Sequence, residues 1–135
     1  MTKNRTKFHA FTMIELLIVI VILGLMASLV APTFFKQLGT AERGIAGAQM
    51  NAFETALDTY RLDMGRYPEK LEDLRTGNQP RWDGPYLPKA IPMDPWGNPY
   101  VYAVPGENGK AYSILSYGAD GKPSGTDENE DIIHQ

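Results

Sequence analysis

Two places in this chain put carboxylates where they could do chemistry. The first is the C-terminal stretch DGKPSGTDENEDI, in which Asp120, Asp127, Glu128, Glu130 and Asp131 fall in a Gly/Pro/Ser-rich loop. Calcium takes about six to eight oxygen ligands, from the carboxylates and carbonyls of a flexible loop. The spacing is not that of an EF-hand, and most acidic runs are solvated surface. The residues alone leave both readings open. The second place is Glu15, at the head of a run that carries no charge from Leu16 to Ala31. A carboxylate deep in a bilayer costs a few kcal/mol and is a functional suspect by default. At the edge of the run it can also snorkel to water.

The remaining inventory excludes most enzyme chemistry. The 135 residues include no cysteine, so disulfides, thiol nucleophiles and zinc-thiolate sites are ruled out. One histidine, His9, precedes the apolar run and the other, His134, is penultimate. Neither position suits a general base, which must be held in a cleft. No nucleophile-base pair or phosphate loop is present, so no catalytic residue is assigned and the chain is not expected to be an enzyme. A sequence pI near 5.3, with no basic patch interleaved with aromatics, argues against nucleic acid as a partner.

The elements that must position Glu15 follow from the flanks. Lys3, Arg5 and Lys7 precede the apolar run; with them counted apart, the chain's net charge of −3 leaves about −6 on the rest. A basic flank followed by an apolar run predicts a cytoplasmic N-terminus, with everything after Pro32 on the other side. A secretory signal peptide has a similar layout, and Ala27, Ser28 and Ala31 offer small residues for cleavage. The run from Met13 to Ala31 is long for such a segment, however. At about 1.5 Å per residue it nearly crosses a hydrocarbon core of about 30 Å. Neither a signal peptide nor a plain anchor accounts for Glu15.

The order of residues here is a basic leader, Ala10, Phe11, Thr12, two apolar residues, Glu15 and a long apolar helix. It resembles the signal of type IV pilins and pseudopilins. In that family a prepilin peptidase cuts before the Phe and N-methylates it. The resemblance implies a cut between Ala10 and Phe11, with Ala10 standing where the family usually has Gly. It also implies an assembly role for Glu15, whose carboxylate would pair with the freed amine of a neighbouring subunit. A paired buried charge is tolerable, whereas an unpaired one is strongly destabilising, so the pair would select one axial register.

Beyond the run, Pro32 is expected to kink or break the helix. Helical spacing resumes through Leu38, Ala41, Ile45, Ala48, Ala52, Ala56 and Tyr60, with Phe53 and Leu57 beside them. Gly39, Gly44 and Gly47 each weaken the helix by about 1 kcal/mol against Ala, and Gly65 is the expected stop. The stripe is expected to be core. From Gly65 to Tyr100 prolines exclude a long helix, with one short turn expected within Glu69–Leu74. Trp82, Tyr86, Ile91 and Trp96 mark an ordered loop rather than a disordered linker. NPYVYAV and KAYSILSYG read as strands, Asn108-Gly109 between them as a hairpin turn, and DIIH as a short third strand.

The expected fold is therefore α+β. A long N-terminal helix, its first half transmembrane, packs on an antiparallel sheet of about three strands through a long Pro-rich αβ loop, the type IV pilin-like arrangement. The expected segments are a leader, 1–10; a transmembrane and assembly helix, 11–32; and a globular domain, 33–135.

GRYP, DPWGNPY and YSILSYGADG together resemble the major pseudopilins of type II secretion systems, across essentially the whole chain. Adhesive pilins usually close this region with a disulfide, which this chain lacks. The resemblance implies a major structural subunit that polymerises into a periplasmic filament and helps export folded proteins across the outer membrane. The alternative is a type IV pilin or minor pilin of a surface or DNA-uptake fibre. It further implies a single pass of the bacterial inner membrane with the C-terminal domain in the periplasm. The implied partners are copies of itself, minor pseudopilins, the prepilin peptidase, the inner-membrane assembly platform and lipid. Finally, it implies calcium as cofactor in the acidic loop, with Asp120, Asp131 and the carbonyl of Tyr117 as ligands and Asp127 and Glu130 as further candidates whose alignment is not unique.

Overall fold

The computed structural model describes residues 10–135; the basic leader and His9 lie outside them. One helix, α1, runs over Met13–Met64. Its start is set by Thr12, whose carbonyl accepts the first helical bond from the Leu16 amide at 3.2 Å. Its end is set by Gly65, which adopts φ +77° and closes on the Arg61 carbonyl at 2.7 Å. Only a residue without a Cβ takes that conformation freely. Pro32 does not end the helix, so of the kink or break expected there the break is removed. The helix passes through it, and the locus of disruption is reduced to the Ser28 carbonyl, deprived of its usual donor.

The chain divides into two compact units, one up to Leu38 and the other Gly39–Gln135. The first is helix alone. Its apolar side chains from Met13 to Phe35 are exposed on every side, and the segment is long and apolar enough to cross a membrane. A helix that is apolar all round must find lipid or protein outside its own unit.

In the second unit, α1 buries Gly39, Ala46, Met50, Phe53, Ala56, Leu57 and Tyr60. This corrects the expected stripe. Leu38 and Ile45 stay about half exposed, and Ala41, Ala48 and Ala52 also face outward. The expected path and the true one meet only from Phe53 onward. Met50 anchors the real seam, in steps of three and four to Phe53, Leu57 and Tyr60. Around these residues close Leu71, Leu74, Leu87, Tyr100, Tyr112 and Ile114. Phe53 meets Tyr100 edge-on at 5.2 Å and Tyr60 meets Tyr86 at 5.3 Å, a geometry the ring quadrupoles favour.

The Pro-rich connection is ordered by its aromatics, as expected. A 3-10 turn at Leu71–Leu74 drops two leucines into the core. Trp82 donates its indole N–H to the Asp73 carbonyl at 3.1 Å, and the Tyr86 hydroxyl donates to Asp63 at 2.9 Å. Gly77 and Gly84 make room for that indole, since a Cβ on either would lie about 2.5 Å from it. Trp96 and Ile91 are half-buried.

Three short strands follow: β1 (Val101–Ala103), β2 (Ser113–Ser116) and β3 (Ile132–His134). They form one antiparallel sheet in the order β1-β2-β3, with Tyr102 opposite Ile114 and Leu115 opposite Ile133. Between β1 and β2, Asn108 and Gly109 both take positive φ, and the Lys110 amide returns to the Glu107 carbonyl at 3.0 Å. That is the primed turn which the Asn-Gly pair predicts. The edge strand β3 is tied to α1 by His134, whose Nε2 lies 3.0 Å from a Glu54 oxygen.

The buried tyrosines carry a pH signature. Desolvation, then the Asp94 charge, pushes Tyr100 up to about 12. Desolvation, then Glu54 and Asp58, does the same to Tyr112, and desolvation first among several causes raises Tyr102 further still. The folded state holds these protons more tightly than the unfolded chain, whose phenols titrate near pH 10. Their stabilising contribution is therefore complete below about pH 10 and disappears as pH rises through about 12. The urea midpoint should fall steeply across that interval, which denaturation at stepped alkaline pH will check.

Candidate functional site

Two sites carry the residues singled out by sequence. At the N-terminus, Ala10 and Phe11 are exposed ahead of the helix, Phe11 at 87%. Glu15 folds back on Thr12: its Oε2 accepts the Thr12 amide at 2.8 Å and the Thr12 hydroxyl at 3.0 Å. The Glu15 amide donates to the Thr12 hydroxyl oxygen at 3.2 Å. These reciprocal bonds are a capping box, which satisfies amides that a helix start otherwise leaves unpaired. The carboxylate also sits at the positive end of the helix dipole. Thr12 is thus a partner of Glu15 that the reading of Phe11 and Glu15 missed. The Thr-x-x-Glu spacing before an apolar run is its signal.

The second site is the loop between β2 and β3. Its first half is anchored by the turn of DPWGNPY. Asp94, 4% exposed, accepts the Asn98 amide at 2.7 Å and the Trp96 amide at 3.2 Å on one oxygen. On the other it accepts the Ser116 hydroxyl at 2.6 Å. Asn98 then donates from Nδ2 to the Gly118 carbonyl at 2.9 Å, fixing the backbone next to Tyr117. Truncating Asp94 leaves two amides and a hydroxyl without an acceptor. Asp94→Ala should cost about 3 kcal/mol or more, read as a lower urea midpoint at unchanged slope.

Along that loop, Asp120 is exposed and its Oδ1 accepts the Lys122 amide at 3.1 Å. Asp131 accepts the Ser124 amide on Oδ2 at 2.9 Å, while its Oδ1 is buried with no hydrogen-bond partner. Asp127 sits at φ +56° and opens a 3-10 turn, Asp127–Asn129. Ser124, at φ +62°, is a second non-glycine in the left-handed region. Such conformations cost of order 1–3 kcal/mol and concentrate at ligand clamps and switches.

Glu130 points elsewhere: its carboxylate pairs with the Arg43 guanidinium of α1 at 3.1 Å. Among the described residues, no three acids or histidines converge as a metal cluster. The loop thus offers an orphaned, buried carboxylate oxygen, further carboxylates and nearby carbonyls. These are hard oxygen donors of the kind calcium takes.

The class of protein is defined first by the N-terminus. Residues 5–31 match the prokaryotic N-terminal methylation motif. Residues 33–135 match the family described as type II secretion system, protein G, and the chain belongs to that family. Relatives named type II secretion system core protein G bear this out along their length. The chain is 40% identical to that of Pseudomonas aeruginosa, with 96% of each chain covered. It is 42% identical to that of Aeromonas hydrophila, covering 93% of this chain and 92% of the relative. The crystal structure of the major pseudopilin from the type 2 secretion system of enterohaemorrhagic Escherichia coli matches with a TM-score of 0.56 at 36% identity. That match covers 70% of this chain and 86% of the other.

The expected α+β arrangement is the one observed, with one long apolar N-terminal helix and a three-stranded antiparallel sheet. With its methylation motif and apolar helix, the chain is a membrane-anchored subunit of the secretion assembly. The matches support a pseudopilin and not the pilin alternative.

Proposed function

We infer that this chain is the major structural subunit of a type II secretion pseudopilus. It polymerises into a periplasmic filament that helps move folded proteins across the outer membrane. The observation that carries this reading is the uncovered apolar helix up to Phe35 behind a methylation motif, in a chain that matches its relatives nearly end to end. Before assembly the helix rests in the inner membrane, a single pass with Gly39–Gln135 in the periplasm. In the filament, neighbouring copies replace lipid around it. The chemistry is assembly rather than turnover. The prepilin peptidase frees and methylates Phe11, and the assembly platform and minor pseudopilins initiate and extend the polymer. Mass spectrometry of the mature subunit tests the reading. An N-methylated Phe11 is expected, and an intact Met1 or a cut after Ala31 would overturn it.

Calcium is proposed for the β2–β3 loop. Asp120, Asp131 and the Tyr117 carbonyl would hold it, joined by Asp127. Glu130 would contribute only by leaving Arg43. Support comes from the unpartnered Asp131 oxygen and from the resemblance of SYGADG to the calcium-binding loop of major pseudopilins. The ion would supply a positive charge among carboxylates that otherwise repel one another, clamping the C-terminal strand to the sheet.

A further inference from the structure

Arg43 reaches from α1 into the far half of the acidic loop through several bonds at once. Its Nη1 donates to the Asp127 carbonyl at 3.0 Å and to the Glu130 carbonyl at 3.3 Å, while Nη2 meets the Glu130 carboxylate. The same half-loop is seated on α1 a turn earlier. The Glu128 side chain lies over Gly39, where a Cβ would come within 3.2 Å of it. The exposed ion pair itself contributes little. The fork to two backbone carbonyls matters more, because it fixes main chain that leads directly into Asp131, the residue with the unpartnered oxygen.

The helix at this point is intrinsically weak. Gly39, Gly44 and Gly47 lie in or beside the first two turns of the second unit. Each lowers helix propensity by about 1 kcal/mol against Ala. Ala46 is fully buried there, whereas Ile45 faces out. Contacts from the loop therefore add tertiary support to this stretch at Gly39 and Arg43.

We propose that Arg43 is a positioning residue coupling the calcium state of the β2–β3 loop to the order of α1 over residues 39–47. The coupling rests on the calcium reading above. An ion drawn to Asp131 holds residues 127–130 in place, which holds the guanidinium, which steadies the glycine-containing turns. Linkage makes this reciprocal: whatever factor calcium adds to the order of the Arg43 contacts, Arg43 adds to calcium affinity. Lysine does not substitute, because a single ammonium on a flexible stem lacks the planar fork.

The test uses the full chain in detergent micelles. It combines calorimetric calcium titration with amide hydrogen exchange in calcium and in chelator. In the wild type, calcium should slow exchange at residues 40–47 by about tenfold. Arg43→Ala should weaken calcium binding by a similar factor and abolish the calcium-dependent slowing, and Arg43→Lys should recover only part of either. A purely structural arginine would speed exchange in both conditions and leave the calcium-dependent difference intact. That result, or unchanged calcium affinity in Arg43→Ala, overturns the coupling. If the wild type binds calcium but exchange at 40–47 does not respond, the coupling alone falls. If the wild type binds no calcium, the calcium reading falls and the coupling with it.

Discussion

Glu15→Leu should abolish filament assembly while leaving the subunit in the membrane and its leader cleaved. Leucine suits the apolar run better than glutamate does, so insertion should not suffer. What is lost is a charge that has no cationic partner among the described residues. The Thr12 bonds orient the carboxylate but do not neutralise it. On the proposed processing, removal of the leader would create the cation, the amine of Phe11, on each neighbouring copy. An ion pair between subunits is worth most where water is excluded, and a misregistered subunit leaves both charges bare.

The capping box offers a competing explanation, that Glu15 merely starts the helix. Glu15→Gln separates the two. A glutamine carbonyl can still accept from the Thr12 amide but carries no charge. Loss of filaments with Gln as well as Leu, seen by shearing and electron microscopy, assigns the role to charge. Filaments of normal yield with Gln would assign it to the cap.

Chelation should lower the melting temperature of the Gly39–Gln135 unit by about 10 °C or more. Calcium at a hundredfold excess over its dissociation constant stabilises a fold by about 2.7 kcal/mol. In a unit near a hundred residues each kcal/mol shifts the midpoint by several degrees. Asp131→Asn should remove most of that difference. It keeps an acceptor for the Ser124 amide while taking away the charge on the unpartnered oxygen. Identical melting curves in calcium and in chelator would remove the ion from the account of this protein. Asp120→Asn should weaken binding without changing the chelated midpoint, since its carboxylate is exposed and holds only the local Lys122 amide.

Much of this was written locally. The apolar run, the leader and Glu15 announced a membrane-grade helix with a methylation motif, because hydropathy and spacing act within a few residues. Gly65 as helix stop, Asn108-Gly109 as a turn and the three short strands were equally legible, since φ preference and alternation are properties of adjacent residues. The partner Thr12 was legible as well, in the spacing that places an N-cap three residues before a glutamate.

Other features lay beyond the sequence because they depend on which surface meets which. The buried seam of α1 ran through Ala46 and Met50 rather than Ile45 and Ala48. Both lines have helical spacing, and only the sheet and loop that cover one of them decide between them. Nor does spacing reveal that Glu130 belongs to Arg43, since those residues are 87 positions apart. The same holds for Asp94, which organises β2 through Ser116 across 22 positions. The sequence by itself determined the class, the apolar anchor and the methylation motif, because each is a short-range pattern. Tertiary structure alone decided which acid pairs with Arg43 and which keeps an unpartnered oxygen. A carboxylate's role depends on the donors around it, and those arrive from distant parts of the chain.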